Sequence, residues 1–200
     1  MSLAHVTPAS SEAGFSMLEI LVSILIMAVG TLGFVGLQVR AQVAEMEAYQ
    51  RGQALILVQD MVDRLNTNRK AAGCYAVTTN TATGSPSLGA GGGGTSCTAS
   101  VGTTATRAVA TQDLTEWNGA LLGTAEVLGG NNAGSIVGAR GCVSFDATTN
   151  SYRIAVAWAG LVESAAPTVA NAASTCGLNA YSSEAIRREV NATVFIANLN

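Results

Sequence analysis

The sequence predicts an α+β protein in which one long N-terminal helix, part membrane anchor and part stalk, packs on an antiparallel β-sheet head. Three observations lead there. From Ile20 to Leu37 the chain runs for eighteen residues without a charge. Past Arg40 a helical periodicity continues unbroken to about Asn68. Beyond residue 140, three stretches alternate apolar and polar residues at the two-residue period of strands.

Composition sets the first bounds. With 48% apolar and 12% charged residues in a chain of 200, a core can form and a disordered polymer is excluded. The formal net charge is -3, and the ten Lys and Arg are scattered from Arg40 to Arg188. No stripe that tracks a phosphate backbone emerges, so nucleic acid is not expected as a direct ligand. The four cysteines, Cys74, Cys97, Cys142 and Cys176, form no CxxC and have no histidine beside them. Two disulfides in an oxidising compartment fit them better than zinc or thioredoxin-like chemistry. No cofactor or metal is implied, and no catalytic constellation is visible. The lone histidine, His5, lies near the start, and the acids of the C-terminal region show no paired spacing for acid-base work. An enzyme is not expected.

The apolar run would form a helix roughly 27 Å long, close to the hydrocarbon thickness of a bilayer. A buried core helix would show one polar face, whereas this stretch offers only Ser23 and Thr31. A secretory signal places its apolar core before a small-residue cleavage site. Here the polar stretch MSLAHVTPASSEAG comes first and the apolar run follows Gly14. A cut after Gly14 would therefore leave the whole membrane helix on the mature chain. Glu19, at the lip of that helix, costs roughly 2.5 to 3.5 kcal/mol on insertion scales and so demands a partner.

The junction Gly14-Phe15-Ser16-Met17-Leu18-Glu19 resembles the processing motif of type IV prepilins, usually written GFTLIE. The resemblance implies that a prepilin peptidase, an aspartate protease of the inner membrane, cuts after Gly14 and methylates the amine of Phe15. Glycine suits the cleavage position because an absent side chain lets the protease approach the backbone closely. The new cationic amine of Phe15, on this chain or a neighbour, is then the natural partner for Glu19, which becomes the assembly charge.

Along the stalk, Val43 and Met46, then Ala54, Val58, Met61 and Leu65, recur at three- and four-residue steps and mark an apolar face. Glu47 with Arg51, and Asp60 with Arg64, stand at i,i+4 in the favourable order and are expected to pair on the exposed side. The helix is expected to end between Asn66 and Gly73, and from Phe15 to about Asn68 it would be roughly 80 Å long. Gly30, Gly33 and Gly36 weaken the anchor locally and also permit close helix approach.

The run from Asp60 to Arg69, with Arg64 and Asn68 at four-residue steps and Tyr75 beyond, is similar to the stalk end of the minor pilins called PilV, type IV pilus modification proteins. Asp113-Leu114-x-x-Trp117 with Leu121 is similar to that family's acidic-plus-tryptophan helix.

Residues 78 to 111 are rich in Gly, Ser, Thr and Ala, with GAGGGG at 89 to 94. Cys74 and Cys97 bracket the densest part, and closing such a loop stabilises by about 3 to 4 kcal/mol in the chain-entropy model. That argument pairs Cys74 with Cys97 and Cys142 with Cys176, while the sequence by itself leaves all three connectivities open. The glycine run lacks the following Lys-Ser or Lys-Thr of a phosphate cradle. Asp113 to Leu122 reads as a short helix with Trp117 and Leu121 inward. Strands are expected over Gly141–Phe145, over Tyr152–Trp158 after an Asp-Ala-Thr-Thr-Asn turn, and over Val190–Ala197 with Val190, Ala192, Val194 and Ile196 on one face. Trp117 and Trp158 read as core.

The resemblance thus implies a type IV pilin-like plan: leader 1–14, transmembrane half of the helix 15–39, periplasmic stalk 40–72 and periplasmic head 73–200. It implies a minor pilin that helps initiate a type IV pilus or is incorporated into one, at the inner membrane first and then at the cell surface. Its implied partners are prepilin peptidase, other minor pilins, the major pilin and a tip adhesin. The alternative is a pseudopilin of type II secretion, which shares leader, helix and sheet but usually has a smaller head or an Asp-rich calcium loop.

Overall fold

The structure is a computed structural model that describes residues 14–132, 134, 136–169 and 172–196. Residues 1–13 of the expected leader, and Ala197 of the expected last strand, lie outside the described residues. The chain divides into two compact units, Met1–Ala44 and Glu45–Asn200.

Helix α1 runs over Met17–Thr67. Ser16 opens it: its carbonyl accepts the Glu19 N–H at 3.0 Å and its Oγ the Leu18 N–H at 3.3 Å. Within the first unit the apolar side chains point outward on every side and are exposed from Phe15 to Val39. The hydroxyls of Ser23 and Thr31 donate back to the carbonyls of Glu19 (2.7 Å) and Ala28 (2.9 Å), so neither presents an unsatisfied donor to an apolar surrounding. At Gly30, Gly33 and Gly36 a Cβ would meet nothing within 4 Å, so these glycines relieve no crowding inside the chain.

In the second unit α1 buries Gln50, Ala54, Val58, Met61 and Leu65, a stripe at three- and four-residue steps, whereas Met46 is exposed. A 3₁₀ helix, Arg69–Tyr75, follows. Then come β1 (Leu88–Gly89), helix α2 (Thr104–Leu122), the hairpin of β2 (Val127–Leu128) and β3 (Asn131–Asn132), β4 (Arg140–Asp146), β5 (Ser151–Ala159), the hairpin of β6 (Thr168–Val169) and β7 (Ala172–Ala173), and β8 (Arg187–Phe195). The main sheet is antiparallel in the order β1-β4-β5-β8. Its inner face carries Val143, Ile154, Val156, Trp158 and Val190, which share one core with the stripe of α1 and with Ala110, Leu114, Trp117 and Leu121 of α2. Ala192, Val194 and Ile196 pack against the same core from the edge.

Besides Met46, two expectations are corrected. The helix expected from Asp113 begins nine residues earlier, at Thr104. Thr103 caps it, its hydroxyl accepting the Thr106 N–H while the Thr106 hydroxyl takes the Thr103 N–H. Threonine thereby does what glutamate or glutamine does in the usual capping box. Glu47 does not pair with Arg51. It turns instead to Arg188 of β8, because there it gains a guanidinium and two backbone donors together.

Candidate functional site

The sequence-derived assembly residues lie at the start of the first unit. Gly14 and Phe15 precede α1, exposed, with Phe15 at 83% of its full exposure. Glu19 sits in the first turn of the helix, also exposed. A carboxylate there complements the positive end of the helix dipole. It stands among outward-facing Met17, Leu18, Ile20 and Leu21, so an apolar environment that took up these side chains would also take up the charge.

In the head, the residues that marked the stalk end converge. Arg64 reaches across from α1 to α2: its Nε donates to Asp60 at 2.9 Å, and its Nη1 to Asp113 at 3.1 Å and Glu116 at 2.7 Å. Tyr75 donates its hydroxyl to the other oxygen of Asp113. Asn68 donates to the Tyr75 hydroxyl at 3.1 Å and to the Thr106 carbonyl at 2.8 Å. Trp117, one turn beyond Asp113, donates its indole N–H to the Leu57 carbonyl of α1 at 2.9 Å. The spacing is what makes this possible. Asp60 and Arg64 lie on one line down α1, Asn68 follows directly past its end, and Asp113, Glu116 and Trp117 lie on one face of α2. Burial works against the charge of Arg64, yet the hydrogen bonds to Glu116 and Asp60 outweigh it and raise its pKa. Burial and the bond to Asp113 push the Tyr75 phenol above its ordinary value. Asp60, Asp113 and Glu116 therefore surround a guanidinium, and the cluster is a lock between helices.

A second set of contacts was invisible as a pattern. Glu47 accepts the Leu161 N–H at 2.7 Å and pairs with Arg188 at 3.1 Å, fastening the loop after β5 and the start of β8 to α1. A Cβ on Gly160 would stand 2.9 Å from both the Glu47 carboxylate and the Arg188 guanidinium, so a larger residue there would push these two side-chain ends aside. Burial raises the Glu47 pKa, but the Leu161 N–H and Arg188 outweigh it and hold the carboxyl below its usual range. Arg187, fully buried, donates to the carbonyls of Ser174 (2.8 Å) and Cys176 (3.0 Å) and pairs with Glu184 at 2.6 Å. Glu189 beside it is pushed up by burial despite the Ser174 hydroxyl and Arg153. The available signal was the i,i+2 placement of Arg187 and Glu189, which puts opposite charges on one face of a strand.

The four cysteines are joined as Cys74–Cys97 and Cys142–Cys176, across separations of 23 and 34 residues. The first closes the glycine-rich loop onto the 3₁₀ helix. The second ties β4 to the segment that Arg187 also holds.

Against known proteins, residues 36–114 match the family model described as Type IV pilin Tt1218. No curated protein and no solved structure matches the chain. The matched segment runs from late in the apolar stretch to Leu114 and includes Asp60, Arg64, Asn68, Tyr75 and Asp113 of the cluster, with Glu116 and Trp117 just beyond it. Over that length the chain is similar to a type IV pilin, and its long N-terminal helix on an antiparallel sheet is a type IV pilin-like α+β architecture.

Proposed function

We propose that this chain is a minor pilin of the PilV kind, made as a prepilin, cut after Gly14 by prepilin peptidase, methylated at Phe15 and carried into a type IV pilus with other minor pilins. The observation that carries this reading is Glu19, an exposed carboxylate in the first turn of a helix whose apolar side chains are exposed on every side. In hydrocarbon such a charge is stabilised most when a neighbour's cationic amine reaches it. That amine is the processed N-terminus of an adjoining subunit, so docking is favoured by the same charge that makes the lone subunit costly to hold in a bilayer. The similarity over residues 36–114 supports a pilin role. The convergence of Asp60, Arg64, Asn68, Tyr75, Asp113 and Trp117 supports the PilV assignment, since these are the residues that resemble that family.

On this reading residues 1–14 are the leader, 15–39 the anchor, 40–72 the stalk and 73–200 a periplasmic head. The subunit primes or caps the filament next to the major pilin, and a tip adhesin is its outward partner.

The test separates cleavage from assembly. Glu19→Ala should be processed normally and remain in the inner membrane, yet be lost from sheared pili and from co-purification with partner minor pilins. Deleting the chain should lower surface piliation and twitching. Entry of Glu19→Ala into filaments at the wild-type level would remove the docking role.

A further inference from the structure

On the face of the main sheet turned away from the shared core lies a cavity of about 460 Å³, the size of a small-ligand site. Alternation along the strands fixes what floors it. With Val143, Ile154, Val156 and Val190 turned to the core, Ser144 of β4, Arg153 of β5 and Thr193 of β8 turn to the opposite face. The register sets them side by side, Ser144 opposite Arg153 and Arg153 opposite Thr193, so one polar row crosses three strands. All three line the cavity.

The walls are fastened to each other. The Cys142–Cys176 disulfide closes one end. The Thr175 hydroxyl donates to the Thr81 carbonyl at 2.7 Å and so joins the two loops that flank the cavity. A Cβ on Gly84, whose φ is +65°, would lie 1.9 Å from the Thr175 carbonyl oxygen, so these loops meet this closely because glycine stands there. At the other end Asp146 heads the turn from β4 to β5, its carboxylate held by the Thr148 N–H at 2.8 Å and the Thr149 hydroxyl at 2.9 Å. A site built in advance loses little order on binding.

Arg153 donates through Nη2 to the Ser174 hydroxyl at 3.1 Å. Among the described residues no other hydrogen bond engages its Nε or Nη1, or the hydroxyls of Ser144 and Thr193. The row therefore offers two guanidinium donors flanked by two hydroxyls, each of which donates and accepts. Charge decides between ligands. Glu189, 3.6 Å from Arg153, already offsets the guanidinium, and Asp146 at the rim adds a further negative charge, so an anion is disfavoured. A neutral ligand with adjacent hydroxyls fits this mixture of donors and acceptors. Phe195 lies two residues beyond Thr193 on the same face, opposite Ser151 of the cavity lining and 70% exposed. Its ring supplies the apolar surface on which the C–H face of a sugar stacks.

We propose that this cavity is a binding site for a neutral saccharide, held by Ser144, Arg153 and Thr193, with Asp146 at its rim and Phe195 as its stacking surface. The site belongs to the head and stands independently of Glu19 and of entry into a filament.

The full chain, in micelles of a zwitterionic detergent that carries no sugar headgroup, tests it on an array of immobilised neutral, sialylated and sulfated oligosaccharides. Neutral members should bind. Ser144→Ala combined with Thr193→Val removes both hydroxyls and keeps a β-branched residue in β8, so it should weaken binding roughly tenfold and leave thermal unfolding of the head nearly unchanged. If that double variant fails to fold, Phe195→Ala, which truncates an exposed ring, should weaken binding instead. Competition separates the two sources of such a ligand: free mono- and disaccharides compete fully if the site takes a soluble sugar, and only longer pieces compete if it takes a surface glycan. No binding to any member, binding confined to the sialylated or sulfated members, or binding undiminished in the folded variants overturns the proposal.

Discussion

Replacing Trp117 with alanine is expected to destabilise the head by about 3 to 5 kcal/mol, the range for truncating a fully buried aromatic. The residue has no exposed surface and lies among α1, α2 and the sheet. Its indole N–H is the bond from α2 to the Leu57 carbonyl. The sheet is built around the ring. A Cβ on Gly141 of β4 would lie 2.4 Å from Cη2 of Trp117 and 2.5 Å from Leu121, so β4 approaches this closely because it has glycine there. Neighbouring side chains cannot collapse into the space without moving a strand. A typical domain is stable by about 5 to 15 kcal/mol, so the loss is a large share of the total. A drop in Tm of roughly 6 to 20 °C is expected for a head of this size, measurable by calorimetry of the disulfide-intact protein. A shift of only a degree or two would show that Trp117 is not a keystone of the core.

Removing the Cys142–Cys176 bridge, by replacing both cysteines with serine, is expected to destabilise the head by about 4 kcal/mol, and the Cys74–Cys97 bridge by about 3 kcal/mol, from the loop lengths they close. The longer loop contains all of β5 and the β6–β7 hairpin. Its loss is felt twice, because the carbonyl of Cys176 is one of the acceptors of buried Arg187, whose charge needs that lining. Chemical denaturation of the two double variants measures these effects. Peptide mapping of periplasmic material without reductant should recover Cys74 joined to Cys97 and Cys142 to Cys176. Four free thiols there would contradict both the pairing and the compartment.

The parts of the fold that were legible were those where one period ran long enough to be unmistakable. The eighteen-residue apolar run and the stripe of Ala54, Val58, Met61 and Leu65 specify one helix because period and length agree. Ile154, Val156 and Trp158 marked β5 by alternation, and all three are buried. The start of α2 was hidden because its first turns, Thr-Ala-Thr-Arg-Ala-Val-Ala-Thr, are rich in β-branched residues and follow glycine, so propensity argued for loop. Packing of Ala110 and Leu114 into the core, with the threonine cap, overrides that propensity. The partner of Glu47 could not be read locally, since Arg188 is 141 residues away. The Arg64 cluster was half legible. The Asp60–Arg64 pair follows from helix spacing, whereas its closure by Asp113, Glu116 and Tyr75 depends on where α2 docks.

A processed pilin subunit is defined by the fate of the junction between Gly14 and Phe15. Sheared filaments from cells that produce this chain should contain it, and intact-mass analysis should give a polypeptide beginning at Phe15 with one added methyl group. Substituting Gly14 with a bulky residue should leave the precursor uncut in the inner membrane. Filaments without the chain, or a membrane-bound protein that still carries residues 1–14 in the wild type, would contradict the assignment as a processed pilin subunit.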